Sequence, residues 1–231
     1  MKPARIDQIL SRYGYCSRSE ARAWLKEERV MLGGVAVKSP SDKAPPDKLL
    51  VDGELIEKPE GLLAMLHKPA GYVCSHDPRE GPGVYELLPS QWIQRNPVVT
   101  TIGRLDKDAT GLLLITDVGG LVHQWTSPKH KVPKLYEVTV DNDLPAGLTD
   151  LFARGTLLLE DEDKACLPAK LEIISPREAR LEIIEGRYHQ VKRMFASQGC
   201  TVTRLHRSRF GDLELGELEV GKWKFLELPS S

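Results

Sequence analysis

The sequence predicts an α+β fold in two parts, a small domain over residues 1–58 and a larger, strand-rich domain over 59–231. Three observations carry this prediction. Ile6, Ile9, Leu10 and Tyr13 recur at helical spacing near the start. Short apolar pairs flank two-residue turns at Gly33-Gly34 and Asp52-Gly53, the strongest local hairpin signal. From Leu62 onward apolar runs alternate with proline- and glycine-rich loops, and Glu57-Lys-Pro-Glu-Gly61 is the expected linker between the two textures.

In the first domain, Ile6 to Tyr13 form one apolar stripe on a short helix that Gly14 ends. Ser17-Arg-Ser-Glu20 has the form of a capping box, so a second helix should run from there to about Glu28. Arg18, Arg22, Lys26 and Arg29 fall along one face of it, with Ala21, Trp24 and Leu25 on the buried side. Residues 1–43 hold nine basic and five acidic groups, so positive charge is concentrated here. Such a face is either solvated or laid against RNA.

The larger domain opens with apolar Leu62–His67 and the turn Lys68-Pro-Ala-Gly71. Val98–Ile102 reads as a strand delivering Gly103-Arg-Leu-Asp106. If Arg104-Leu105-Asp106 is extended, Arg104 and Asp106 share one face and Leu105 takes the other. Leu112–Ile115 then reads as a strand buried on both faces. Such a strand would hold Asp106 rigidly at the rim of a core, although a simple turn would use the same residues. Lys134, Tyr136, Val138 and Val140 share one face of another strand. Leu144–Gly155 looks helical, and residues 169–174 and 179–184 pair as strands. Val191, Met194 and Phe195 make a helix closed by Gly199, with His189, Gln190, Lys192 and Arg193 in its first turn. Residues 177–209 hold eight basic and three acidic groups, a second cationic zone.

Composition limits the function. The net charge of -1 excludes a uniformly cationic coat for nucleic acid, leaving local patches. The N-terminus lacks the apolar segment of a secretory leader and no apolar run reaches bilayer length, so no membrane partner is expected. Cys16, Cys74, Cys166 and Cys200 form no Cys-x-x-Cys pair, which argues against a disulfide framework or a zinc site and for a reducing cytoplasm. The six histidines show no metal-ligand spacing; His189 and His206 read as hydrogen-bonding or RNA-contacting residues. No dinucleotide fingerprint or P-loop is present, so neither metal nor cofactor is expected.

Arg5-Ile-Asp-Gln-Ile-Leu, Ser17-Arg-Ser-Glu-Ala21 and Arg29-Val-x-Leu-Gly-Gly resemble the S4 RNA-binding domain. They depart from its usual pattern at Glu28, where glycine is common, and at Leu32-Gly33. Lys68-Pro-Ala-Gly71, Gly103-Arg-Leu-Asp106 with Gly111-Leu-Leu-Leu, Lys134-Leu-Tyr136 and Glu185-Gly-Arg-Tyr-His-Gln-Val-Lys192 together resemble the pseudouridine synthases, closest to the branch that modifies ribosomal RNA behind an S4 domain. His67 and Val118 depart from that pattern.

The resemblance implies a mixed, largely antiparallel sheet flanked by helices, and isomerisation of uridine to pseudouridine in a base withdrawn from its stack. It implies Asp106 as nucleophile, attacking ribose or base, with Lys192 as its counter-ion and Arg193 as the substitute. Asp108 has no part in it. Tyr136 would stack on the uracil and Arg104 would fill the gap the base leaves. Arg187, His189, Gln190 and Arg193 would bind substrate, as would Arg18, Arg22 and Lys26 on the S4 helix. Lys68 is either an anchor for its turn or a phosphate contact. Without a long basic C-terminal tail, the chain is most similar to enzymes acting as monomers on 16S ribosomal RNA, free or in an assembly intermediate. The alternatives are a synthase for 23S RNA, an S4-type binding protein without catalysis, and a carboxylate hydrolase acting on a nucleoside.

Overall fold

The computed structural model describes residues 1–229 of the 231. Its first part comprises β1 (Ala4–Arg5), α1 (Ile6–Arg12), α2 (Ala21–Lys26), β2 (Val30–Leu32), β3 (Val35–Ala36), β4 (Lys43–Ala44), β5 (Leu49–Val51) and β6 (Glu54–Leu55). Ile6, Ile9, Leu10 and Tyr13 are buried, as their spacing requires, against Ala21 and Leu25 of α2. The Ser17 N–H donates to Oε2 of Glu20 at 2.8 Å and the Glu20 N–H returns to Ser17 Oγ at 3.3 Å, the reciprocal pair of a capping box. Regular helix starts at Ala21 and stops at Lys26, short of the expected Glu28. Glu28 lies at φ 57°, a left-handed conformation that glycine adopts without strain, which accounts for the glycine usual there. Both hairpins form at the expected turns and join in a sheet ordered β3-β2-β5-β6, and β1 pairs with β4.

The second part comprises β7 (Leu63–Lys68), α3 (Ser90–Ile93), β8 (Thr100–Ile102), β9 (Thr110–Thr116), α4 (Gly119–Thr126), β10 (Lys134–Val140), α5 (Leu148–Arg154), β11 (Lys170–Ser175), β12 (Glu178–Ile183), α6 (Gln190–Ala196), β13 (Val202–Phe210), β14 (Leu213–Glu214) and β15 (Trp223–Phe225). Its sheet follows the path β11-β12-β10-β13-β9-β7-β15, with β14 beside β13 and β8 beside β9. Among the described residues every pair is antiparallel except β9 with β13, so the sheet is mixed and largely antiparallel. Strand β9 is buried on both faces. Leu113 and Ile115 enter the main core with Trp92, Val138 and Phe195, while Leu112 and Leu114 enter a second core with Leu121 and Phe210. Helix α5 begins at Leu148 rather than Leu144, because Pro145 restricts the residue before it and Gly147 turns at φ 79°.

The two parts meet at the end of α1. Gln91 Nε2 donates to the Tyr13 carbonyl at 3.0 Å, Asn96 N–H to the Arg12 carbonyl at 2.9 Å, and the Tyr13 hydroxyl to the Pro59 carbonyl at 2.7 Å. Gly14 packs so tightly here that a Cβ would lie 2.2 Å from the Gln91 carbonyl oxygen. The fully buried Arg95 side chain donates to Asp117 Oδ2 at 2.8 Å and to the Glu57 carbonyl.

Candidate active site

A cavity of about 510 Å³ opens over β10 and β13, beside the loop that feeds β9. Its walls are Gly103–Lys107, Lys134 and Tyr136 of β10, Arg207 and Phe210 of β13, and residues 183–191 leading into α6. That volume is in the range of small-molecule sites and has room for a nucleoside.

Arg104, Leu105 and Asp106 alternate as the sequence implies: Arg104 is exposed, Leu105 joins the main core, and Asp106 stands partly exposed in the cavity. The turn after Asp106 is fastened from below. The Lys68 ammonium, 0% exposed, donates to the carbonyls of Pro69 (3.0 Å), Lys107 (3.2 Å) and Ala109 (2.7 Å). Burial pushes its pKa down. Lys68 is therefore an anchor, and a phosphate has no path to it.

Two nitrogens approach the Asp106 carboxylate, His189 Nε2 at 3.4 Å from Oδ1 and Lys192 Nζ at 3.5 Å from Oδ2. The closer partner of Lys192 is Asp108, whose oxygens lie 2.6 and 2.7 Å from Nζ. This corrects the expectation that Asp108 has no part here. The turn at Lys107-Asp108 brings Asp108 back over Lys192, and the two carboxylates share one ammonium. That hydrogen bond holds the Asp108 pKa below the usual carboxylate value.

Tyr136 is 7% exposed and lies on the cavity wall. Directly across the β10/β13 ladder is Arg207, 1% exposed and also on the wall. Its Nε donates to the Leu112 carbonyl at 2.8 Å and its Nη1 to the Arg104 carbonyl at 3.4 Å, so it ties the Asp106 loop to the sheet. Gly111 is its backbone neighbour on β9 at the parallel seam. Lys134 lies beside them, and burial, reinforced by the Arg207 charge, lowers its pKa to about 8.

A family model for RNA pseudouridylate synthases matches residues 62–197. The chain belongs to the RNA pseudouridylate synthase family. Ahead of that match, an S4 domain model covers residues 4–50. The synthase is 40% identical over 226 residues to the ribosomal small subunit pseudouridine synthase A of Vibrio parahaemolyticus, spanning 96% of this chain and 95% of the relative. To the protein of that name from Escherichia coli K12 it is 38% identical over 225 residues, with 95% of each chain covered. Its fold is similar to a crystal structure described as a pseudouridylate synthase, with a TM-score of 0.67, 37% identity and 96% of both chains covered.

The geometry reassigns several cationic side chains of the synthase. Arg187 donates to Glu185 and Glu162 and to the carbonyls of Lys164 and Ala165, and Arg193 donates to Glu162 and to the carbonyls of Tyr188 and Glu160. Both hold the chain's own 160–165 segment, and the Arg193 guanidinium is paired with Glu162 and not with Asp106. Gln190, 3% exposed, accepts from the Arg187 N–H at 3.0 Å and donates to Glu185 at 2.6 Å, which braces the turn before α6. On the S4 domain Arg22 and Lys26 are exposed on α2 and Arg18 precedes it, 3.3 Å from Asp7. Arg29 leaves that face: it lies over the Trp24 ring at 3.4 Å and pairs with Asp52 at 2.7 Å. Arg207 is a buried cationic residue of the cavity wall that lies outside the sequence motifs, and Lys134 enters them without a role of its own. The available signal for Arg207 was its place two residues after Leu205, at an inward position of an alternating strand. Among the described residues no helix is long and apolar enough to cross a membrane, and no cluster of His, Cys, Asp and Glu has metal-binding geometry.

Proposed function

We propose that the synthase isomerises a uridine of 16S ribosomal RNA, with Asp106 as the nucleophile. The observation that carries this reading is the Asp106 carboxylate standing in a nucleoside-sized cavity, 3.4 Å from His189 and 3.5 Å from Lys192, with the Tyr136 ring on the wall. The N1–C1′ bond of the uridine breaks, the uracil turns, and C5 bonds to C1′; the C5 proton is lost and N1 gains one, so RNA mass is unchanged. Tyr136 stacks on the uracil and is placed to assist proton transfer at C5. Arg104, exposed at the rim, fits the gap left by the withdrawn base, where a planar guanidinium both stacks and binds phosphate. Arg22 and Lys26 on the exposed face of α2, with Arg18 beside it, hold the RNA at a distance from the cavity.

The small-subunit assignment rests on the names of the relatives, which match 95–96% of this chain. The test is incubation with unmodified 16S transcript and mapping of pseudouridine by carbodiimide. One modified uridine is expected with the wild-type protein and none with Asp106→Ala, which should still bind RNA. Full activity of the alanine variant, or modification confined to 23S transcript, would refute the corresponding part of the reading.

A further inference from the structure

Tyr188 is 77% exposed, the most exposed large hydrophobic side chain among the described residues, yet it lies on the cavity wall. One face of its ring is covered. It stacks on His189, with centroids 3.9 Å apart and planes 19° from parallel, and His189 is the residue that reaches Asp106 Oδ1 at 3.4 Å. The stack therefore runs outward from the carboxylate through imidazole and phenol to solvent.

An exposed phenol ring adds little to folding, but the segment that presents it is heavily braced. Arg187 before it holds two carboxylates and two carbonyls, Arg193 Nη1 donates to the Tyr188 carbonyl at 3.2 Å, and Gln190 accepts from the Arg187 N–H at 3.0 Å. His189 is held at φ 46°, an uncommon conformation for a residue with a side chain. The result is a flat aromatic surface presented in a fixed pose. Exposed Arg104 and Lys107 on the same cavity supply positive charge for phosphates. A rigid aromatic face beside cations is the arrangement that receives unpaired nucleobases.

We propose that the outer face of Tyr188 stacks on the base adjoining the target uridine, replacing the stacking contact that this neighbour loses when the uridine enters the cavity. This rests on the isomerase reading above. Every base has a π face, so the contact supplies affinity and placement with little sequence preference.

The test uses an RNA hairpin carrying the mapped uridine, labelled with tritium at C5, which isomerisation releases. Tyr188→Ala should raise KM by about 10-fold, in line with loss of one base–aromatic stack, with most of the effect in KM and little in kcat. Tyr188→Phe should retain wild-type KM, and neither change should move the melting temperature. An abasic nucleotide in place of the adjoining base should raise the wild-type KM by a similar factor and remove the difference between wild type and Tyr188→Ala. A wild-type KM for Tyr188→Ala, or a loss that persists undiminished with abasic RNA on either side, overturns the stack while the isomerase reading stands. Failure of the wild-type protein to release tritium refutes the isomerase reading itself.

Discussion

Gly111 is the point at which fold and chemistry are most closely joined, and Gly111→Ala should damage both. It lies at φ 109°, and a Cβ built there falls 2.3 Å from the Arg207 carbonyl oxygen and 2.7 Å from its nitrogen. Carbon–oxygen contacts in sheets settle near about 3.3 Å, so the two backbones must part by roughly 1 Å. The parting falls at the parallel junction of the large sheet, where Thr110 faces His206 and Gly111 faces Arg207. Backbone strain contributes about 1–2 kcal/mol and one or two weakened ladder bonds about 1 kcal/mol each. The expected destabilisation is therefore about 2–4 kcal/mol. Gly199→Ala is the control, because Gly199 also has positive φ, at 78°, with nothing within 4 Å of its Cβ position. It should cost only the strain, about 1–2 kcal/mol. Urea unfolding followed by tryptophan fluorescence measures both. Parting the seam also moves the Asp106 loop away from Tyr136, and a displacement of about 1 Å is worth about 100-fold in kcat. Equal urea midpoints for the two variants, or a wild-type kcat for Gly111→Ala, would refute the reasoning.

Lys192→Met should lower kcat by about 10- to 100-fold, since the ion pair is partly screened by exposure, with Lys192→Arg recovering part; Asp108→Asn should change it by less than about 5-fold, because that carboxylate is mostly solvated. Asp7 has its pKa lowered to about 2, chiefly by its hydrogen bonds from Arg5 and against the cost of burial. A depressed carboxylate stabilises the fold above its unfolded value of about 3.9 and loses that contribution as pH falls toward the folded value. Asp7→Asn should accordingly cost about 1–2 kcal/mol at neutral pH, after allowance for the exposed Arg5, with the difference from wild type closing between about pH 4 and 2 in urea titrations. Glu28→Gly removes a left-handed non-glycine residue and an exposed ion pair with Lys38, and should leave stability unchanged or raise it by up to about 1 kcal/mol in thermal melts. Lys68→Met removes the ammonium that donates to three carbonyls, of which that of Ala109 is buried and that of Lys107 keeps the Gly71 N–H at 2.7 Å, and should destabilise by about 1–3 kcal/mol, with kcat falling alongside because the turn after Asp106 loosens.

Features set by neighbouring residues were legible in the sequence. The helical stripe from Ile6 to Tyr13, the capping pair Ser17 and Glu20, both glycine hairpins and the doubly buried run Leu112–Ile115 are each decided within a few residues. Glycine and proline set the limits: Pro145 and Gly147 delayed α5, and Glu28 in place of glycine marks where α2 had already ended. Partners distant in sequence were harder to read. Arg187 and Arg193 carry charges that suit RNA, but Glu162 and the carbonyls of the 160–165 segment reach them first, and nothing near either arginine announces that loop. Asp108 carries no local signal of its role, because its reach back to Lys192 depends on the pose of a turn. Arg207 is one of several basic residues in its segment, and only its inward register on β13 makes it part of the cavity wall.

Arg12, Tyr13 and Gly14 are fastened to Gln91, Arg95 and Asn96, so the cationic surface of α2 and the cavity are two ends of one gauge. RNA that engages both ends must present its uridine at the length the gauge sets. A transcript with the right local letters but the wrong three-dimensional spacing would seat at one end and leave the other empty. On the proposed reading, selection of one uridine among many then becomes a measurement of RNA architecture.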